Sequence, residues 1–300
     1  MIEIKGLSYS FGPKLVLNDI NLTVPDGTVL GIVGINGAGK STLLRLLSGV
    51  YECKENGGFG HGGKIFYDGI EPTDPDARQN IFFLPDDPYY TSASTPNKMF
   101  EFYKVFYPEI DRSVFDRLIS EYRLNPKQNI RNFSKGMRRQ MFIALALAIK
   151  PKYMLLDEAF DGLDPLSRKI FKDAIISMVE ENGTTVVITS HSLRELEDFC
   201  DKFALIDNNV IKSQGDISDN VARLCKFTLA FTEEVNAVLF GNLPVVSLDI
   251  KGRFVTIVLE GESEAVKEQL AALSPVVMDE MPLDFEEFFI HDVLSGRGVK

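Results

Sequence analysis

Residues 34–41 read Gly-Ile-Asn-Gly-Ala-Gly-Lys-Ser, directly after the apolar run Val29–Val33 and directly before Thr42-Leu43-Leu44-Arg45-Leu46-Leu47. A strand, a glycine-rich turn and a helix therefore meet at one point, which commits this part of the chain to an α/β arrangement. Glycine is required there because backbone N–H groups must converge on phosphate oxygens, which takes φ > 0 conformations and leaves no room for a Cβ. The new helix adds the partial positive charge of its N-terminus. The pattern fits a nucleoside triphosphate, with Lys40 reaching the β- and γ-phosphates and the Ser41 hydroxyl ligating Mg2+.

Alternating segments Glu3–Ser10 and Val16–Val24 predict strands ahead of the glycine loop, and the helix after it runs to about Leu47. The stretch Gly57–Gly63 predicts a loop leading into a strand Lys64–Tyr67. From Pro96 to about Lys150 the spacing turns helical, with Met99, Phe100, Tyr103, Phe106, Val114, Phe115, Leu118, Ile119 and Tyr122 as its core face. Buried strands at Tyr153–Leu156, Thr184–Thr189 and Phe203–Ile206, separated by helices, complete a mainly parallel sheet. After Gln214-Gly215 the character changes: strands Phe227–Phe231, Val245–Ile250, Phe254–Glu260 and Val276–Met281, with helices Val235–Phe240 and Ser263–Leu273, spell β-α-β-β-α-β, a small ferredoxin-like α+β unit. The expected domains are 1–218, with a helical subdomain at about 90–150, and 219–300.

A net charge of −11, from 43 acidic and 32 basic residues, argues against nucleic acid or an anionic lipid surface as a partner. Residues 225–300 carry thirteen acidic against six basic residues, which reinforces the point. The strongly apolar run Met141–Ile149 is too short to cross a bilayer, and Met1-Ile2-Glu3-Ile4-Lys5 lacks a signal-peptide layout, so a cytoplasmic location is expected. Three cysteines without metal-ligand spacing fit a reducing compartment.

The apolar run Tyr153-Met154-Leu155-Leu156 ends in Asp157-Glu158. Beside a phosphate loop, Asp157 is placed to hold Mg2+ and Glu158 to polarise the attacking water as general base.

Between these motifs, Asn132-Phe133-Ser134-Lys135-Gly136-Met137-Arg138-Arg139-Gln140 resembles the signature loop of the ATP-binding cassette (ABC) family, whose common form is Leu-Ser-Gly-Gly-Gln. The phosphate loop, this signature, Asp157-Glu158, the loop Asp161-Gly162-Leu163-Asp164 and the switch-like Thr189-Ser190-His191-Ser192 follow in the family's order and at its usual spacing, over about residues 1–220. The resemblance implies a P-loop NTPase fold with an N-terminal antiparallel part and a helical subdomain. It also implies that Phe11, with Tyr9 as the alternative, stacks on adenine, and that Gly34 and Asn36, Gly37, Ala38, Gly39, Lys40, Ser41 and Thr42 wrap the phosphates. His191 would contact the γ-phosphate and hold the attacking water, Ser134 and Gly136 would meet the γ-phosphate held by the other subunit of a head-to-tail dimer sandwiching two ATP, and Asp164 would contribute to nucleotide binding.

Departures from the family's pattern are informative. Asp86 occupies the position of the usual glutamine, where its carboxylate is expected to reach Mg2+ or the water, and Lys135 replaces the first signature glycine, bringing an extra cation near the phosphates. Such signatures and acidic loops look most like ATPase subunits of ABC-2-type exporters of the drug, antibiotic or lantibiotic-immunity class. That resemblance implies a homodimer, or a pair with a related subunit, on separate permease subunits at the inner face of the membrane, contacted near Asp86 and residues 96–130. The other reading is a soluble ABC ATPase powering a process such as cofactor assembly.

Overall fold

A computed structural model describes residues 1–52, 62–190, 192–221, 223–283, 285–287 and 289. The chain opens with strands β1 (Ile2–Phe11), β2 (Lys14–Val24) and β3 (Val29–Val33), helix α1 (Lys40–Leu47), strand β4 (Gly62–Tyr67), helix α2 (Pro75–Arg78) and strand β5 (Ile81–Leu84). Three helices follow, α3 (Pro96–Lys104), α4 (Arg112–Glu121) and α5 (Lys135–Ile149). Then come β6 (Tyr153–Asp157), α6 (Pro165–Asn182), β7 (Thr185–Thr189), α7 (Leu193–Glu197), β8 (Lys202–Asp207) and β9 (Val210–Asp216). The remainder comprises α8 (Ile217–Val221), β10 (Leu224–Ala230), β11 (Val245–Lys251), β12 (Phe254–Glu260), α9 (Ser263–Ala271) and β13 (Val277–Met281). Two compact units result: Met1–His191 with Phe199–Gln214, and Ser192–Asp198 with Gly215–Lys300.

In the first unit the strand order β5-β6-β7-β3-β8-β9 puts β7 between the strand that feeds the glycine loop and the strand that ends in Asp157. The β5-β6, β6-β7, β7-β3 and β3-β8 pairs are all parallel. Every residue of β3, β6 and β7 is buried, as a sheet covered on both faces demands. Parallel pairing brings the carboxyl ends of these strands to one edge, where α/β sheets bind ligands. β8 turns into β9 through Asn208 and Asn209, both at positive φ (49° and 71°), the backbone that a two-residue hairpin needs. A separate antiparallel sheet, β2-β1-β4, packs Ile2, Ile4, Leu7, Leu17 and Ile20 into one core with Leu43, Leu44 and Leu47 of α1.

α3 starts at a Thr95 cap and α4 at an Asp111 cap. Met99, Phe100, Phe115, Leu118, Ile119 and Tyr122 are buried as their spacing predicts. Phe106 is instead 58% exposed, because α3 ends at Lys104 and the helical face is not continued beyond it. α5 is buried along its whole length from Arg139 to Ile149, so it is apolar nearly all round rather than striped.

The second unit forms an antiparallel sheet of order β11-β12-β10-β13, the strand order of a ferredoxin-like β-α-β-β-α-β unit. Phe227, Leu229, Phe240, Ile257, Leu259, Val266 and Leu270 make its core. The helix expected at Val235–Phe240 is only a 3-10 turn, Ala237–Phe240, started by the Asn236 side chain and closed at Gly241. Most of the glycine-rich stretch expected to loop before β4, residues 53–61, lies outside the described residues.

The fully buried Leu145 of α5 is a clean test of this packing. Leu145→Ala is expected to cost about 3 kcal/mol of stability, read as a lowered denaturation midpoint in urea.

Candidate active site

The loop between β3 and α1 folds around its own lysine. Gly39 caps α1 at φ 108°, and a Cβ there would lie 2.8 Å from Leu17 Cδ2, so glycine is dictated by packing as well as by φ. Lys40 is 7% exposed, and its Nζ donates to the carbonyls of Gly34 (2.8 Å) and Ile35 (3.4 Å). Burial lowers its pKa from the ordinary lysine value, and the charges of Glu158 and then Asp157 oppose that shift. Asn36 and Gly37 are exposed at the tip of the loop, and Ala38 is buried beneath it. An ammonium held in a low-dielectric nest with exposed backbone beside it is suited to a polyanion.

Strand register brings the acidic side to it. Asp157 at the end of β6 pairs with Thr189 at the end of β7. Asp157 is 1% exposed, and its Oδ1 accepts from Ser41 Oγ at 3.0 Å and from Thr189 Oγ1 at 2.8 Å. Its Oδ2 is buried and has no hydrogen-bond partner among the described residues. A buried carboxylate oxygen left this way, beside a hydroxyl on a phosphate loop, fits a hard divalent cation that takes one carboxylate and otherwise phosphate or water oxygens. Thr189 Oγ1 also accepts from the Glu158 amide at 3.0 Å, so one hydroxyl fixes both acidic residues. Glu158 itself stands at φ 50°, a left-handed conformation unusual for a non-glycine residue, at the position expected to carry the general base.

The signature segment, at the start of α5, packs against the loop 161–164. Ser134 caps this helix, its Oγ accepting from the Met137 amide at 3.2 Å. Gly136 presses against the loop 161–164: a Cβ there would lie 2.5 Å from the Gly162 carbonyl oxygen. One turn on, Gln140 Nε2 donates to Ser167 Oγ (2.7 Å) and reaches Asp164 Oδ2 (3.4 Å).

Several expected site residues have further partners within the chain. Asp164 caps α6: its carboxylate accepts from the Ser167 hydroxyl and from the amides of Ser167 and Leu166, which hold it below the usual carboxylate pKa. Its carboxylate is thereby held at the exposed start of α6. Asp86, expected near the metal, is engaged elsewhere, its Oδ1 accepting from Arg139 Nη2 at 2.7 Å and lying 3.6 Å from Lys135 Nζ. Lys135 is ion-paired with Asp161, so its charge is already answered within the chain. Phe11 is 47% exposed at the end of β1, edge-on to Tyr9 and Tyr51, while Tyr9 stacks on Tyr51 and packs on the core; of the two, Phe11 is the aromatic open to a base. His191 lies outside the described residues. Arg139 is the site residue that the motifs do not mark: it meets Asp86 only through the fold, 53 residues away along the chain.

Comparison with known proteins places the chain in a family. The family model described as ABC transporter matches residues 17–161. The "ABC transporter ATP-binding protein YtrB" of Bacillus subtilis is 31% identical over 97% of this chain and 97% of its own length. The "Lantibiotic transport ATP-binding protein SrtF" of Streptococcus pyogenes is 30% identical over 77% of this chain and 98% of its own length. A solved structure titled "Structure of ATP binding subunit of ABC transporter" superposes with a TM-score of 0.66 at 26% identity, over 73% of this chain and 91% of that one. The chain belongs to the ABC transporter ATP-binding family. Of the two readings the sequence leaves open, this membership favours the nucleotide-binding subunit of a transporter over an assembly ATPase.

Gly136→Ala tests the close approach of the signature segment to the 161–164 loop. The added methyl must displace backbone, so a loss of about 1–3 kcal/mol is expected by chemical denaturation.

Proposed function

We propose that this protein binds and hydrolyses ATP as the energy-coupling subunit of an ABC exporter. The observation that carries the reading is the Asp157 carboxylate, shared by the hydroxyls of Ser41 and Thr189 through one oxygen and buried without a described partner at the other. Phe11 receives the adenine on its exposed face. The backbone from Gly34 to Thr42 and the Lys40 ammonium hold the phosphates, and Lys40 exchanges its carbonyl contacts for phosphate oxygens. Ser41 and Asp157 would hold Mg2+, which when bound neutralises charge on the β- and γ-phosphates. Glu158 takes the proton of the attacking water, and His191, by its place in the motif series, orients that water against the γ-phosphate. Ser134 and Gly136 present the N-terminus of α5 to the γ-phosphate held by a second copy, so that two ATP close a head-to-tail dimer.

Closure is passed to separate membrane subunits. Tyr89, Phe102, Val105 and Phe106 are 83%, 56%, 74% and 58% exposed, large apolar side chains on the loop after Asp86 and on and just beyond α3, which suit docking of a permease. No helix among the described residues is long and apolar enough to cross a membrane, so the pathway itself is assigned to those partners. The export direction is inferred from the exporter-like signature Phe133-Ser134-Lys135-Gly136-Met137.

Glu158→Gln is expected to lower ATP turnover at least about 100-fold while leaving ATP binding intact, because it removes the base without touching the phosphate loop. The same variant should form a dimer with ATP on a sizing column and not without it. Turnover that persists in the variant, or a chain that stays monomeric with ATP bound, would overturn the reading.

A further inference from the structure

Two residues by which this chain departs from the common family motifs, Asp86 and Lys135, lie together. Lys135 Nζ is paired with the Asp161 carboxylate and lies 3.6 Å from Asp86 Oδ1. The same Asp86 oxygen accepts from Arg139 Nη2, which also donates to the Asp86 carbonyl at 2.8 Å while Nη1 donates to the Pro85 carbonyl at 2.9 Å. The Arg139 side chain is 1% exposed, whereas that of Lys135 is 55% exposed. Arg138 adds a third hold, its guanidinium 5.8 Å from the centre of the Tyr90 ring. The loop that carries Asp86 is thus laid along the first turns of α5, with Arg139 as a buried post and Lys135 as an exposed arm.

The other end of that arm reaches the hydrolytic turn. The Asp161 amide donates to the Glu158 carbonyl at 3.1 Å, closing the turn in which Glu158 stands at φ 50°. Lys135 therefore touches one carboxylate on each side: Asp86 on the loop after β5, and Asp161 on the turn after β6. A glycine at 135 could not span the two, and a neutral glutamine at 86 would give the ammonium no charge to answer. The two departures complement each other.

We infer that Lys135 is a positioning residue whose ammonium, shared between Asp86 and Asp161, couples the loop after β5 to the turn that holds Glu158. Movement of the Asp86 loop shifts the lysine and with it the Asp161 anchor of the turn. The kinetic consequence rests on the ATPase reading above; the mechanical coupling does not. Exposed ion pairs taken singly contribute little, but a cation shared by two acids, one of them also held by a buried guanidinium, makes terms that do not add independently.

The test is a double-mutant cycle in the full-length chain: Lys135→Met, Asp161→Asn and both together, with Lys135→Arg as the conservative variant. Two measurements are made on each, hydrogen exchange of the amides of residues 158–164 and steady-state ATP turnover. Exchange is expected to rise about five-fold in each single variant with no further rise in the double, because either change breaks the same tether. Lys135→Arg should restore most of the protection. Turnover should follow the same non-additive pattern through kcat, with KM for ATP unchanged. Unaltered exchange in Lys135→Met, or additive effects in the double variant, would overturn the coupling. A raised KM with kcat intact would also sink it, since the lysine would then act on nucleotide directly. If the unmodified chain hydrolyses no ATP, the functional proposal falls, and the exchange cycle alone decides the coupling.

Discussion

The arrangement of the site depends on one buried carboxylate. Asp157 is 1% exposed at the end of a strand whose every residue is buried, and an ionised group there is costly unless donors or cations answer it. Two hydroxyls do so from different elements, Ser41 on α1 and Thr189 on β7. Because β7 lies between β3 and β6, the contact requires that three strands end level at one edge of the sheet. A slip in the β6-β7 pairing would take Thr189 away from both Asp157 and the Glu158 amide. The site is therefore a statement about sheet register as much as about loop chemistry.

The charged loops around α5 obey a second constraint. A helix whose residues from Arg139 to Ile149 are all buried has few places to put a guanidinium. Arg139 is accommodated because the chain leaving β5 turns its Pro85 and Asp86 carbonyls and the Asp86 carboxylate toward it. Arginine suits this place because its planar fork meets two carbonyls and a carboxylate at once. On the neighbouring face, Gln140 serves Asp164 and Ser167 at the start of α6, and Gly136 lets the two backbones meet. The first turns of α5 thus fix the positions of two loops that share no hydrogen-bond ladder.

How legible this was in the amino-acid order varies with the range of each interaction. The phosphate loop was readable because its residues are contiguous and lie between a buried strand and an apolar helix. Asp157 and Glu158 were readable because an apolar strand ends in them. The ferredoxin-like strand order followed from the alternation of short apolar segments, although the first helix shrank to one 3-10 turn that Asn236 and Gly241 bound on either side. Contacts across the fold were not readable. Arg139 and Asp86 are 53 residues apart, and nothing local announces that they meet. Asp164 is marked as a ligand by its motif, and its capping role is also legible in Asp-Pro-Leu-Ser, an acid followed by proline at the first helical position. Phe106 looked like core because periodicity says nothing about where a helix stops.

Glu158 shows how these constraints converge on chemistry. A left-handed backbone at a non-glycine residue costs about 1–3 kcal/mol and persists only where the surroundings over-determine it. Here its amide is fixed by Thr189, its carbonyl by the Asp161 amide, and the residue before it is held by two hydroxyls. The strain turns the chain sharply off the end of β6, so that Glu158 leaves the sheet at its edge while Ala159 and Phe160 go back into the core. A relaxed, extended backbone would continue the strand and carry the carboxylate away from the phosphate loop. The Glu158 turn is fixed by the same Thr189 hydroxyl that holds Asp157, so loss of that hydroxyl would loosen both residues at once.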